Sequence, residues 1–166
     1  MPDERLALRA DCSRCAALCC VAPAFAASSD FAIDKPAGVP CPNLLDDFRC
    51  GVHDRLRPLG FAGCTVYDCF GAGQHTVQQV YGGRSWRDED VDPREMFDVF
   101  GVLRGLHELL WLLAEVRSRA EAADLHEEAS RLTAEVRAAT EGAPADVLAA
   151  DGAGLRRRTG ALLRRT

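Results

Sequence analysis

The sequence predicts a mainly α-helical protein: an irregular cysteine-rich module, then an antiparallel helical hairpin, then a short basic helical tail. Three observations predict it. All eight cysteines fall between residues 12 and 69. Residues 97–116 carry Phe97, Phe100, Val102, Leu103, Leu106, Leu109, Leu110, Leu112, Leu113 and Val116, an apolar stripe at helical spacing and wide enough to imply burial on two sides. Residues 143–166 carry five arginines against two aspartates. The boundaries that follow are 1–90, 91–142 and 143–166.

A chain of 166 residues, 48% hydrophobic and 27% charged, is about one globular domain. A net charge of −5 gives no clear nucleic-acid footprint. No stretch reaches the roughly 20 apolar residues of a membrane span. Arg5, Arg9 and Arg14 precede an apolar run that holds a small-x-small sequence, Ala24-Phe25-Ala26. Asp3, Glu4 and Asp11 interrupt the basic region, however, and cleavage there would discard half the cysteines, so a secretory signal is a poor reading. The expectation is a cytoplasmic protein with reduced thiols, where clustered cysteines read as metal or redox sites.

Residues 2–20 read as a helix, with Pro2, Asp3 and Glu4 at its start and Pro23 beyond its end. In that helix Cys12, Cys15 and Cys19 share one face, with Cys20 beside them. Residues 23–42 are rich in breakers, with Phe25, Phe31 and Ile33 as local anchors, on a short strand if any. Residues 74–81 predict a short helix closed by Gly82-Gly83. Asp92-Pro93-Arg94-Glu95 is a strong helix start. Leu125, Ala129, Leu132, Val136 and Ala139 predict a second helix, with a break at 118–124 and a capping box of Asp124 and Glu127. Gly142 and Pro144 are read as its end. The tail is read as weakly helical and interrupted by Gly152 and Gly154; it either packs back on the hairpin or leads into a further segment.

The chemistry rests on sulfur. All eight cysteines, Cys12, Cys15, Cys19, Cys20, Cys41, Cys50, Cys64 and Cys69, are candidate metal ligands, because several thiolates gathered on one face need a cation to neutralise them. Apolar residues are too sparse around Cys41–Cys69 to build a core by burial alone, and a bound metal would supply the missing folding energy. The layout is C-x2-C-x3-C-C, then Cys41-Pro42-x-Leu44, Cys50, Arg57-Pro58, Cys64 and Cys69. Over residues 11–70 it resembles the zinc- or iron-chelating CxxCxxCC-type family, with one extra residue before Cys19 and with His53 where that family tends to have an aromatic residue. It is similar, more distantly, to the cysteine region of flagellin lysine methylases, and to the amino-terminal portion of actinobacterial pentapeptide-repeat proteins, although no such repeats occur here. The resemblance implies a module that holds zinc or iron.

Iron as a [4Fe–4S] cluster is slightly favoured, because clustered cysteines beside proline suit it. Zinc is nearly equal: eight thiolates could close two four-ligand sites, although adjacent Cys19 and Cys20 cannot easily share one tetrahedral ion. His53 and His75 are candidate further ligands; His107 and His126 read as ordinary helical residues. A structural or sensing metal protein is therefore the first expectation. A thiol–disulfide protein using Cys12 and Cys15 is the alternative, and a metalloenzyme with Asp68 or His75 as acid or base is the third. The hairpin is read as a packing or partner-docking element.

Overall fold

The computed structural model describes residues 4–166. Pro2 and Asp3, part of the expected first helix start, lie outside the described residues. The protein is mainly helical, and among the described residues there are no strands, only isolated bridges between Phe25 and Lys35 and between Leu44 and Cys50. The helices are α1 (Leu18–Val21), α2 (Ala62–Val66), α3 (Ala72–His75), α4 (Pro93–Ser118), α5 (His126–Ala139), α6 (Pro144–Leu148) and α7 (Gly152–Leu163).

The hairpin forms where the apolar periodicity places it. Asp92 caps α4 by accepting from the Arg94 amide at 2.9 Å, and Pro93 occupies the first helical position. Arg119 ends α4, and a 3-10 turn, Ala120–Leu125, leads into α5. The expected capping box there does not form: Leu125 is the N-cap and supplies no side-chain oxygen.

Two expectations are corrected. From residue 4 on, the helix expected over 2–20 is a 3-10 turn at Glu4–Leu8, irregular chain, and the single turn α1. Ala16 and Ala17 take left-handed backbone angles, φ 47° and 53°, which no α-helix contains. Helix α5 ends at Ala139, ahead of Gly142 and Pro144 as expected, and Pro144 also opens α6, with the Asp146 carboxylate accepting from the Ala143 amide at 2.9 Å. Gly152 and Gly154 do not interrupt the tail. They form the first turn of α7, where the Asp151 carboxylate accepts from the Gly154 amide at 2.8 Å. A side chain on Gly154 would collide with that carboxylate, so the small residue permits the cap.

Helix α7 packs back on the hairpin, making a three-helix bundle of α4, α5 and α7. Its arginines meet the hairpin's acids: Arg156 with Glu108 at 3.1 Å, Arg165 with Glu128 at 2.7 Å, and Arg158 with Glu135. Two cores share α4. Its C-terminal half, from Leu106 to Val116, packs with Leu125, Leu132, Val136 and Leu162. Its N-terminal half, Met96, Val99, Phe100 and Leu103, packs with Leu18, Val21, Val77 and Tyr81 of the cysteine-rich region, and Val147 of α6 joins that second core. The cysteine-rich region thus packs on the front half of α4 and reaches its rear half through Leu8, Arg5 and Phe70.

Candidate metal centre

The first cysteine segment is shaped by local hydrogen bonds. Asp11 accepts from the Ser13 amide at 3.0 Å and the Ser13 hydroxyl at 2.5 Å, which tightens the turn at Cys12. Gln74 straps this segment to α3: its carbonyl accepts from the Asp11 amide at 2.9 Å, and its amide donates to the Arg9 carbonyl at 2.7 Å. The Trp86 indole N–H donates to the Ala16 carbonyl at 2.8 Å and pins the left-handed pair Ala16-Ala17. Leu18 and Val21 are fully buried and anchor α1, leaving Cys19 and Cys20 half-buried. Gly73 lies under Cys15, and a Cβ there would stand 2.7 Å from the Cys15 Cβ.

The second segment is tied to the first through backbone. The Cys41 amide donates to the Cys20 carbonyl at 2.9 Å. The bridge between Leu44 and Cys50 folds the Cys-Pro-x-Leu element back over Cys50. Phe31 stacks on Phe25 at 4.4 Å and fits beneath Gly63, where a Cβ would clash with its ring, and the Gly63 amide donates to the Asp30 carbonyl at 3.0 Å. These contacts carry Cys64, on α2, to the same side. Phe25, Phe31 and Ile33 are partly buried, consistent with a local anchor rather than a core.

Lys35 is the chain's only lysine and is 3% exposed. Its ammonium donates to the carbonyls of Val21 (3.2 Å), Pro23 (2.5 Å), Pro36 (3.1 Å) and Val39 (2.9 Å). Burial pushes its pKa down, and the nearby Cys41 and Cys20 sulfurs push it up. Nothing in the sequence marked it, since one lysine among many arginines carries no pattern.

Cys69 ends the cysteine run. Phe70 follows with φ 51°, and its carbonyl accepts from the His107 Nδ1–H at 2.7 Å. The other His107 nitrogen meets His75 Nδ1 at 3.0 Å. His107, read as ordinary from the sequence, is thus the buried link between α4 and the last cysteine. Burial holds its pKa down to about 4 and also lowers that of His75.

The thiols are all free. Burial pushes Cys15 and Cys64 up to about 11, and raises Cys12 and Cys50. Each also feels neighbouring sulfurs: Cys15 is raised by Cys12, Cys69 and Cys20, and Cys64 by Cys20, Cys41 and Cys50. The Cys15 thiol donates to the Cys12 carbonyl at 3.5 Å. Cys19 and Cys20 sulfurs are in contact at 4.0 Å. The shared hydrogen bond lowers Cys20, with Lys35 adding to that, and raises Cys19.

Cys12, Cys15, Cys19 and Cys69 line one narrow cavity of about 20 Å³, floored by Phe100. That volume holds one body the size of a water. Among the described residues, no group of three or more Cys, His, Asp or Glu side chains stands in the arrangement of a preformed metal site. The sulfurs are gathered without being closed around a point. His53 is exposed, and His75 is engaged with His107 rather than shown against a sulfur. Asp68 is exposed and accepts from the Phe70 amide at 2.7 Å. No helix among the described residues is long and apolar enough to cross a membrane.

The non-glycine residues with left-handed backbone are Ala16, Ala17, Phe48 and Phe70 among the described residues. Every one lies within two positions of a cysteine. Such conformations cost roughly 1–2 kcal/mol each and persist where surrounding structure enforces them, which is common at functional sites.

No family model and no solved structure matches the chain. It is 48% identical over 121 residues to a Bacillus subtilis (strain 168) protein named "Uncharacterized protein YybG", an alignment covering 73% of this chain. The matched region spans 43% of that relative's length.

Proposed function

We propose that this chain is a cytoplasmic cysteine-ligated metal-binding protein with a structural or sensing role, holding iron as a [4Fe–4S] cluster or, alternatively, zinc. One observation carries this reading: the eight thiols are free, and four of them from both ends of the cysteine run, Cys12, Cys15, Cys19 and Cys69, line one cavity beside left-handed backbone. The donor set fits a thiophilic metal, since both zinc and iron–sulfur clusters take four thiolates. The buried thiols have raised pKa values when protonated, so loading releases protons and the metal supplies the charge that burial otherwise penalises. The order Cys-Pro-x-Leu, Cys, Arg-Pro, Cys, which resembles the CxxCxxCC-type family, supports the same reading.

The test is purification without oxygen, a visible spectrum, and measurement of iron, zinc and sulfide. Iron with equimolar sulfide and a brown colour identifies the cluster; colourless protein with zinc identifies the ion. A colourless, metal-free protein overturns both. The thiol–disulfide alternative has one observation in its favour, the depressed Cys20 thiol touching Cys19. Metal-free protein with an even number of reversibly oxidised thiols would establish it.

A further inference from the structure

We infer that Cys19 and Cys20 are a site of reversible thiol oxidation, closing a disulfide between sequence neighbours by exchange with a low-molecular-weight disulfide. The inference does not rest on the metal-binding reading: it concerns these two thiols wherever no metal holds them.

The pair is set apart by contact. The two sulfurs stand 4.0 Å from each other. A disulfide bond is about 2.05 Å long, so closure asks them to approach by about 2 Å. Neighbours on a regular helical turn point about 100° apart around the axis, which keeps their side chains separate. Here the helix is one turn, Leu18–Val21, entered from left-handed Ala17, and the two thiols lean together. Both are free and half-buried, so a small oxidant reaches them, whereas Cys15 and Cys41 are buried.

The chemistry closes on these two residues. One thiolate attacks a sulfur of the low-molecular-weight disulfide and releases a first thiol. The neighbouring thiolate then attacks the protein sulfur of that mixed disulfide and releases a second. The two cysteines give up two electrons and two protons, and one small disulfide becomes two small thiols. The second step is intramolecular and needs no movement of the loops that carry Cys12 or Cys69.

The bond formed is temporary by its geometry. Ordinary disulfides span roughly 4.4–6.8 Å between Cα atoms, and neighbours across a trans peptide are held at about 3.8 Å. Strained disulfides are the readily reduced ones, suited to a signal rather than a staple. The unit that turns to close the ring is the Cys19–Cys20 peptide. Its N–H donates to the Ala17 carbonyl at 2.8 Å, and the Cys20 carbonyl beyond it accepts from the Cys41 amide at 2.9 Å. Oxidation therefore loosens the left-handed step at Ala17 and the tie to the Cys41 loop. It also draws the Cys19 sulfur from the wall it shares with Cys12, Cys15 and Cys69.

The experiment uses the full chain, purified anaerobically, with its metal content recorded first. The protein is treated with oxidised glutathione, with and without a chelator. Remaining thiols are alkylated and the peptides mapped by mass. The fragment holding Cys19 and Cys20 should lose two hydrogens and two alkylation sites, and dithiothreitol should restore both. Cys15 shares that fragment, so Cys15→Ser should keep the loss, while Cys19→Ser should abolish it and leave Cys20 as a glutathione adduct. Wild-type Cys19 and Cys20 that stay alkylated under both conditions, end as glutathione adducts, or pair with other cysteines overturn the inference, whether or not the variants fold. Amide exchange at Cys20 and Cys41 should rise on oxidation; an unchanged rate in the oxidised protein overturns the coupling to the backbone. Metal absent at the first measurement overturns the metal-binding reading alone.

Discussion

At the scale of single residues, Lys35 and His107 contribute most of what the cysteines cannot. Lys35 collects four carbonyls from the loops that carry Cys20 and Cys41. Replacing it with methionine keeps the volume and strands those acceptors, and should cost about 2–3 kcal/mol in denaturant unfolding. A loss below half of that would show the ammonium to be incidental. His107 gives a pH signature. Its folded pKa is about 4 against the ordinary 6.5, because burial disfavours the charged ring. The unfolded chain therefore binds a proton between those values that the folded chain does not. The stabilisation is complete above about pH 6.5 and is lost as pH falls towards 4, at up to ~1.4 kcal/mol per pH unit. His107→Gln should flatten that acid limb of the stability curve; an unchanged slope would assign it to other groups.

At the scale of elements, α4 joins two cores, and α3 holds the cysteine loop. Gly73→Ala drives a methyl into the Cys15 Cβ at 2.7 Å, where backbone rather than a flexible side-chain tip must move. We expect a loss of roughly 1–3 kcal/mol, whereas Gly101→Ala, which faces open space, should be neutral or slightly stabilising. Equal effects from the two would remove the significance of the Cys15 contact. The hairpin was legible in the sequence because its apolar residues repeat at helical spacing and Asp92-Pro93 marks a start with a physical reason. The first cysteine segment was not. Ala16 and Ala17 carry no propensity for left-handed backbone; burial and the distant Trp86 indole help to hold them there. Gly152 and Gly154 were misread as breakers because the cap supplied by Asp151 turns them into a helix start. The cysteines themselves are visible in the sequence, but which of them the loops bring together is not, since Cys69 reaches the cavity of Cys12, Cys15 and Cys19 only through the packing of α3 on the first loop.

At the scale of the whole molecule, the charge asymmetry of the sequence becomes an internal match: basic α7 lies on the acidic hairpin. Those ion pairs are exposed, and such pairs contribute about 0–1 kcal/mol. Fully buried Leu162 should matter more. Leu162→Ala is expected to cost about 2–5 kcal/mol, and Arg165→Ala within 1 kcal/mol; the reverse ranking in chemical denaturation would mean that charge, not burial, docks α7. The two cores also differ in what sustains them. The bundle buries leucine against leucine, whereas the cysteine region has few large apolar side chains and relies on loops. Chelation should therefore abolish amide-exchange protection around residues 15–70 and leave α5 and α7 protected. Uniform loss across the chain would show that the two parts unfold as one.

The clamp of Trp86 on the Ala16 carbonyl has a practical consequence. The chain has two tryptophans. Trp86 is seated between Phe48 and Phe97 beside the first cysteine loop, while Trp111 lies on the bundle side against Phe70 and under the Arg5 guanidinium. The two tryptophans thus report on opposite ends of the cysteine run, Trp86 at its first loop and Trp111 at Phe70, the residue after Cys69. With Trp111 replaced by phenylalanine, intrinsic emission is dominated by Trp86, so that changes at the first cysteine loop can be timed without any external label.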